Sequence, residues 1–438
     1  MDIYNLVSFG GVFILLMLGW VFSGDRGRMN FRCIGWGVGV QLLLGLIVFR
    51  APFSREVFLW LNEAVLKLLT AAQAGQKFLF GPLALGEGET GAAGEESLGF
   101  ILAFQGLPMI IFFAALMGLL YYWRIMPLVI RGFSWFFTRA MRISGAESLC
   151  AASNIFVGIE SVTAVRPYLG RMTRSEFCTI LTAGMATVAS SVLGVYVWSL
   201  KDVFPTIAGH LISASILSAP AAVVMSKILV PEDGAPVTLG RQVEMHQEPE
   251  SGAIEAVING AMAGVKLVVG ICALLIAFLG LLAVVDLFIG GLGHLLGSLF
   301  DAQWEWSLQK ALGYLMAPLA MIMGIEPKDI TIVGGLLGER LVATEVPAYL
   351  RLAELMDSYA LSPRSCVVSA YGLCGFAHVA SLAIFVGGVT ALAPQRREDI
   401  TKVALRALGA ATLACLMTGA VAGTFYHEGA VVFQTAGG

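Results

Sequence analysis

Charge is what this chain has least of. Only 13% of its 438 residues are Asp, Glu, Lys or Arg, against roughly a quarter in soluble domains. That scarcity excludes an ordinary soluble globular protein. The net charge of −3 leaves no basic surplus of the kind that nucleic-acid binding requires. Cysteine is present but unorganised. Cys150, Cys272, Cys374 and Cys415 sit inside apolar runs without paired or metal-ligand spacing, so they read as free thiols acting as small hydrophobes. There is no P-loop, no dinucleotide fingerprint and no HExxH, which leaves a primary pump without an ATP site. No nucleophile–base pair stands out, which argues against an intramembrane enzyme. The opening MDIYNLVSFGG lacks a basic n-region and reads as a first membrane helix rather than a cleaved signal.

What the chain has is apolar length. Hydrophobic residues make up 58% of it, and the mean hydropathy is +0.82. Runs of ~17 or more such residues can cross a bilayer as helices. By that measure the spans are Leu6–Phe22, Ile34–Phe49, Phe100–Tyr122, Phe177–Trp198, Phe204–Val230, Ala256–Leu287, Ser365–Ala391 and Val403–Phe425. Amphipathic stretches at Ser54–Leu69, Trp123–Arg142 and Trp304–Met323 read as interfacial helices. Basic clusters at Arg26–Arg32, Arg124–Arg142, Arg166–Arg174 and Arg396–Arg406 mark the inner side. Both termini are then expected outside and the Pro231–Ser251 loop inside.

Two stretches fit neither a plain span nor a soluble loop. AESLCAASNIFVGIESVTAVRPY (Ala146–Tyr168) and KDITIVGGLLGERLVATEVPAY (Lys328–Tyr349) are apolar, yet rich in small and polar residues. Each holds a Glu near its expected break (Glu160, Glu345) and closes on a Pro and a Tyr. That composition predicts re-entrant hairpins, whose backbone enters the bilayer and returns while buried in protein. Ser144 and Glu147 have capping-box spacing and would open the first. The first enters from inside and the second from outside, each followed by two spans, which is the inverted repeat of a secondary transporter. The expected fold is an all-α polytopic membrane protein with eight transmembrane helices, two oppositely oriented re-entrant hairpins and interfacial helices. Residues 1–142 form the first scaffold part and 143–230 the first transport repeat. Residues 231–324 hold the inner loop, a scaffold span and an interfacial helix, and 325–438 the second transport repeat.

Glu160 and Glu345 are the sharpest candidate residues. A carboxylate at membrane depth costs at least ~2.5 kcal/mol on insertion scales, so it needs hydrogen bonds, a cation or a proton. Structural glutamates at helix ends are the bland reading, and paired ligands from the two hairpins at a central site the functional one. Asn154, Val157, Thr187 and Val188 offer an amide, a hydroxyl and freed carbonyls, the oxygen set a sodium ion takes. Interhelical hydrogen bonding explains Asn154 and Thr187 equally well. His378 lies between Phe376 and Ser381 in the span expected to line the site. Arg340 either pairs with Glu339 or faces the outer mouth; both remain open.

The segments GGVFILLMLGWVFSGDRGRMNFR, ASNIFVG, VRPYL, LTAGMATVASSVLG and YGLCGFAHVASLAIFVGGVTALAP resemble the concentrative nucleoside transporters, in a bacterial-type form, over nearly the whole chain. The resemblance implies a homotrimer in the cytoplasmic (inner) membrane, with a scaffold and a mobile transport domain. It also implies cation-coupled nucleoside uptake, with sodium as coupling ion and no other cofactor. By position in the family's motifs, Glu160 reads the nucleobase, Phe376 and Val192 pack against it, and Glu345, His378 and Ser381 meet the sugar. Asn154, Val157, Thr187 and Val188 fall on the sodium site. The chain departs from the pattern at the base end. One residue is missing before Glu160, which removes the family's glutamine; Ile159 replaces a threonine and Val162 a proline. Thr344 and His378 each stand where the family has an asparagine. Proton coupling, a different polar or sugar-bearing solute, and a protein that binds without concentrating therefore stay open as alternatives.

Overall fold

A computed structural model describes residues 2–51, 53–86, 88–91, 94–246, 250–299 and 307–428. The structure is helical throughout its ordered elements. The helices are α1 (Ile3–Val21), α2 (Phe31–Arg50), α3 (Ser54–Phe80), α4 (Leu102–Gln105), α5 (Met109–Tyr122), α6 (Ile125–Met141), α7 (Gly145–Asn154), α8 (Arg174–Ala186), α9 (Ser190–Leu200) and α10 (Ile207–Leu229). They continue as α11 (Ala253–Leu299), α12 (Leu308–Ile322), α13 (Ile330–Val342), α14 (Glu345–Asp357), α15 (Pro363–Leu373), α16 (Val379–Leu392) and α17 (Arg397–Phe425). Among the described residues, seven stretches are long and apolar enough to cross a membrane.

Two of the expected spans are each a pair of half-helices. Phe177–Trp198 divides into α8 and α9, with extended backbone at Thr187 and Ala189. Ser365–Ala391 divides into α15 and α16, with extended backbone at Cys374 and His378. The small and hydroxylated residues of both segments supply little side-chain packing to hold a continuous helix, and the breaks are buried in protein, where such backbone is tolerated. The breaks touch each other. A Cβ on Gly375 would lie 2.6 Å from Cys415 Sγ and 2.8 Å from Ala186 O, and φ is +152° there. Only glycine permits that approach with that backbone.

The two hairpins appear as expected. The first consists of α7 and a 3₁₀ return limb, Ile159–Arg171, containing Pro167. A proline inside the return limb cannot donate to a helical ladder, which favours the tighter, irregular form. Ser144 and Glu147 form the reciprocal capping box, and Thr173 and Glu176 form a second at the start of α8. The second hairpin consists of α13 and α14. Outside the transport repeats, α3 runs well past the Leu69 limit read from its amphipathic pattern. Lys77 at its end sits 2.8 Å from Glu89 of the loop that follows and holds that carboxyl below the usual range. Helix α11 leans on α5 through small residues; a Cβ on Gly260 would meet Ala114 O at 2.5 Å. The expected interfacial helix Trp304–Met323 is described only from residue 307, where it is α12 packed along α13. The end of the chain, expected outside, lies beyond the described residues.

At the start of α7, hairpin 1 is tied down by charge and by backbone. Lys227 Nζ of α10 reaches Glu147 Oε1 at 2.5 Å, Glu232 Oε2 at 3.2 Å and Ser175 Oγ at 3.0 Å. Lys227 and Glu147 are buried, so removing either leaves an uncompensated charge, a loss of about 3–5 kcal/mol. The inner loop adds backbone bonds. Gly145 N donates to Thr238 O (2.9 Å), Gly240 N to Ile143 O (3.2 Å) and His246 N to Ala164 O (2.9 Å).

Candidate functional site

The two hairpin tips and the two helix breaks meet in the middle of the molecule. Ser190 N, just past the α8–α9 break, donates to Phe156 O of hairpin 1 at 2.9 Å. Asn154 is the last residue of α7 and is buried. Its Nδ2 donates to Cys150 O at 3.0 Å, while its Oδ1 is buried with no hydrogen-bond partner. Thr187 caps the end of α8, its hydroxyl donating back to Ala183 O at 2.9 Å. Val188 N and O both engage Ser215 Oγ, at 3.2 Å each. Asn154, Val157, Thr187 and Val188 are thus brought to one pair of backbone breaks. A buried amide oxygen without a donor, beside helix C-terminal ends, is a group that could ligate a cation.

A second group forms around Glu345, the first residue of α14. Glu345 Oε1 accepts from Tyr196 Oη at 2.6 Å. Oε2 lies 2.9 Å from His378 Nε2, which also stands 2.7 Å from Ser381 Oγ. His378 Nδ1 accepts from Ser381 N at 3.2 Å and so caps α16. That bond assigns the ring proton to Nε2. Thr344 Oγ1, one residue before Glu345, is also buried and without a partner. The group therefore presents one carboxylate oxygen faced by the His378 ring and one hydroxyl without a partner, held in place by neighbours on α9 and α16. Phe376 stands half-buried in the same break.

Glu160 is elsewhere. It is exposed and lines a cavity of about 800 Å³ with Tyr121, Arg166, Ser191 and His246. Glu345, His378 and Ser381 are not among the residues lining that cavity. Helix α9 links the two regions: Ser191 faces the cavity and Tyr196, five residues on, reaches Glu345. The rise between them is about 7 Å. Val192, buried, follows Ser191 on the same helix. The side chain of Ile159 lies outside the described residues.

One residue of the site, Tyr196, escaped the sequence. Tyr196 gave a usable signal, since a tyrosine buried in an apolar span must find a partner for its hydroxyl. Arg340 was noticed, but it neither pairs with Glu339 nor faces the outer mouth. It is 1% exposed and donates through Nη1 to Gly372 O at 2.6 Å.

Comparison with known proteins covers most of the chain. The family model described as Na+ dependent nucleoside transporter C-terminus matches residues 210–423, its N-terminal counterpart matches 10–83, and one described as Nucleoside recognition matches 103–203. Solute carrier family 28 member 3 of Mus musculus is 37% identical over 434 residues, covering 96% of this chain and 58% of the relative. Sodium/nucleoside cotransporter 1 of Mus musculus is 35% identical over 437 residues, covering 96% and 64%. The chain thus spans roughly three fifths of the length of these curated relatives. Among solved structures, CNTnw in an inward-facing substrate-bound state aligns with TM-score 0.85 at 33% identity, covering 96% of this chain and 98% of that one. A doubly substituted CNTnw in an outward-facing state aligns with TM-score 0.86 at 32% identity, covering 97% and 98%.

Proposed function

Since this chain belongs to the concentrative nucleoside transporter family, we propose that it takes up nucleosides or close nucleoside analogues by symport with sodium. The observation that carries this reading is Glu345 Oε2. It is a buried carboxylate oxygen faced by His378 Nε2, which it shares with Ser381 Oγ, while its sister oxygen is fixed by Tyr196. A sugar hydroxyl donating to it would form a charge-assisted bond in a desolvated place, where such bonds are strongest. Thr344 and Ser381 supply further hydroxyls beside it, and Phe376 and Val192 give a base an apolar flank. Glu160 is the polar contact left at the base end. Asn154, Val157, Thr187 and Val188 hold the sodium ion, which travels as cargo. Its charge at the ends of α7 and α8 would draw the two breaks together and favour the arrangement that receives the nucleoside.

Transport follows from the inverted repeat. Residues 143–230 and 325–438 move as the transport domain against a scaffold of 1–142 and 231–324, in a homotrimer in the inner membrane with both termini outside. The cavity beside Glu160 is bordered by Arg124, Arg166, His246 and Glu250, which the basic clusters place inside. On this reading the cavity opens to the inner side. The test is Glu345→Gln. It keeps the shape, removes the charge, and should abolish or nearly abolish nucleoside binding. Unchanged binding in a folded E345Q protein contradicts the assignment.

A further inference from the structure

Arg340 has no place in the reading above. Among the described residues no carboxylate lies within ion-pair distance of its guanidinium, although the side chain is buried in hairpin 2. A buried charge is costly unless something of opposite sign faces it. What faces it is the C-terminal end of α15. Arg340 Nη1 takes Gly372 O. Tyr349 of the same hairpin donates to Ala370 O at 2.7 Å. Cys415 of α17 donates to Cys374 O at 3.5 Å and to Ala186 O, at the end of α8, at 3.7 Å. Arg340 Nε has no acceptor, so the guanidinium is held by the negative helix ends more than by a completed hydrogen-bond fork.

The position has a counterpart in the other repeat. Asn154 ends the first limb of hairpin 1 and lies near the broken end of α8. Arg340 stands two residues before the end of the first limb of hairpin 2, against the broken end of α15. In repeat 1 the place offers an unbonded oxygen; in repeat 2 it holds a fixed positive charge. We propose that Arg340 is a resident cation occupying the second repeat's ion position, so that the protein binds one sodium and not two. It is a positioning residue: its charge pins hairpin 2, and with it Glu345, to the α15–α16 break. This inference rests on the reading of Asn154 and Thr187 as the sodium site.

The test is thermal stability of the full-length protein, titrated with sodium chloride against choline chloride. The wild type should be stabilised with a Hill coefficient of about 1, since that coefficient is bounded by the number of sites. R340K should respond in the same way. R340M, neutral and of similar length, should require more sodium and show a coefficient rising towards about 2, as a second ion fills the vacated place. A merely structural role would lower stability without changing the coefficient. Should R340M fail to fold, R340A in millimolar methylguanidinium is expected to regain stability. A folded R340M with the wild-type midpoint and coefficient overturns the proposal, as does an R340A protein indifferent to methylguanidinium. A wild type that ignores sodium altogether instead overturns the sodium site itself.

Discussion

Tyr196→Phe is the mildest change that reaches the proposed sugar site. The ring keeps its stacking on Tyr349, with centroids 4.5 Å apart and planes 24° apart. Nearly all of its buried volume stays. What disappears is the hydroxyl that donates to Glu345 Oε1 at 2.6 Å. Both Glu345 and Tyr196 are buried, so water does not replace the lost donor. A hydrogen bond to a charged group contributes about 1.5–3 kcal/mol. If the carboxylate turns to recover a partner, the oxygen offered to the sugar is the one it withdraws. At 1.4 kcal/mol per factor of ten, nucleoside affinity should fall roughly 10- to 100-fold. Equilibrium binding of uridine and adenosine to the purified protein measures this, with their 2′- and 3′-deoxy analogues in parallel. The loss should be largest for the ligand that keeps the hydroxyl Glu345 accepts and smallest for the analogue lacking it. An affinity unchanged within about twofold, or an equal loss for every analogue, refutes the view that Tyr196 acts through Glu345 on the sugar.

Two further outcomes follow from the same geometry. Asn154→Ala deletes the unbonded buried oxygen and should weaken sodium's effect on nucleoside binding about tenfold or more, the worth of one contact to a charge; a sodium titration of binding checks it, and an unaltered sodium midpoint counts against the assignment. A cysteine at exposed Glu244 should be labelled by a membrane-impermeant thiol reagent only from the inner side; labelling from outside in sealed, oriented vesicles reverses the topology.

The architecture was largely legible because its signals are local. Length and hydropathy mark the spans, and Ser144 with Glu147 writes the start of hairpin 1 three residues apart. The breaks were half-legible. The freed carbonyls expected around Thr187 and Val188 imply a break in the fourth span, whereas the Cys374–His378 break was read as part of a continuous helix. Gly375 alone says little until the Ala186 carbonyl beside it is known. His378 with Ser381 could be seen as neighbours, but Tyr196 reaches Glu345 across 149 positions of sequence, and no local pattern records such a pair. The same holds for Arg340 and Gly372. The seating of the inner loop on hairpin 1 was invisible for another reason: its bonds run largely between backbone groups, which carry no residue signature.

Accumulation against a gradient tests the account most directly. The protein is reconstituted into sealed proteoliposomes, and uptake of radiolabelled uridine and adenosine is followed under an inward sodium gradient, an inward proton gradient, and neither. The account predicts accumulation of at least one nucleoside above its external concentration with the sodium gradient, collapse of that accumulation when the gradient is dissipated, and none in the E345Q protein. Accumulation driven by protons and indifferent to sodium, or no transport of either nucleoside by a protein that sodium stabilises, would contradict it.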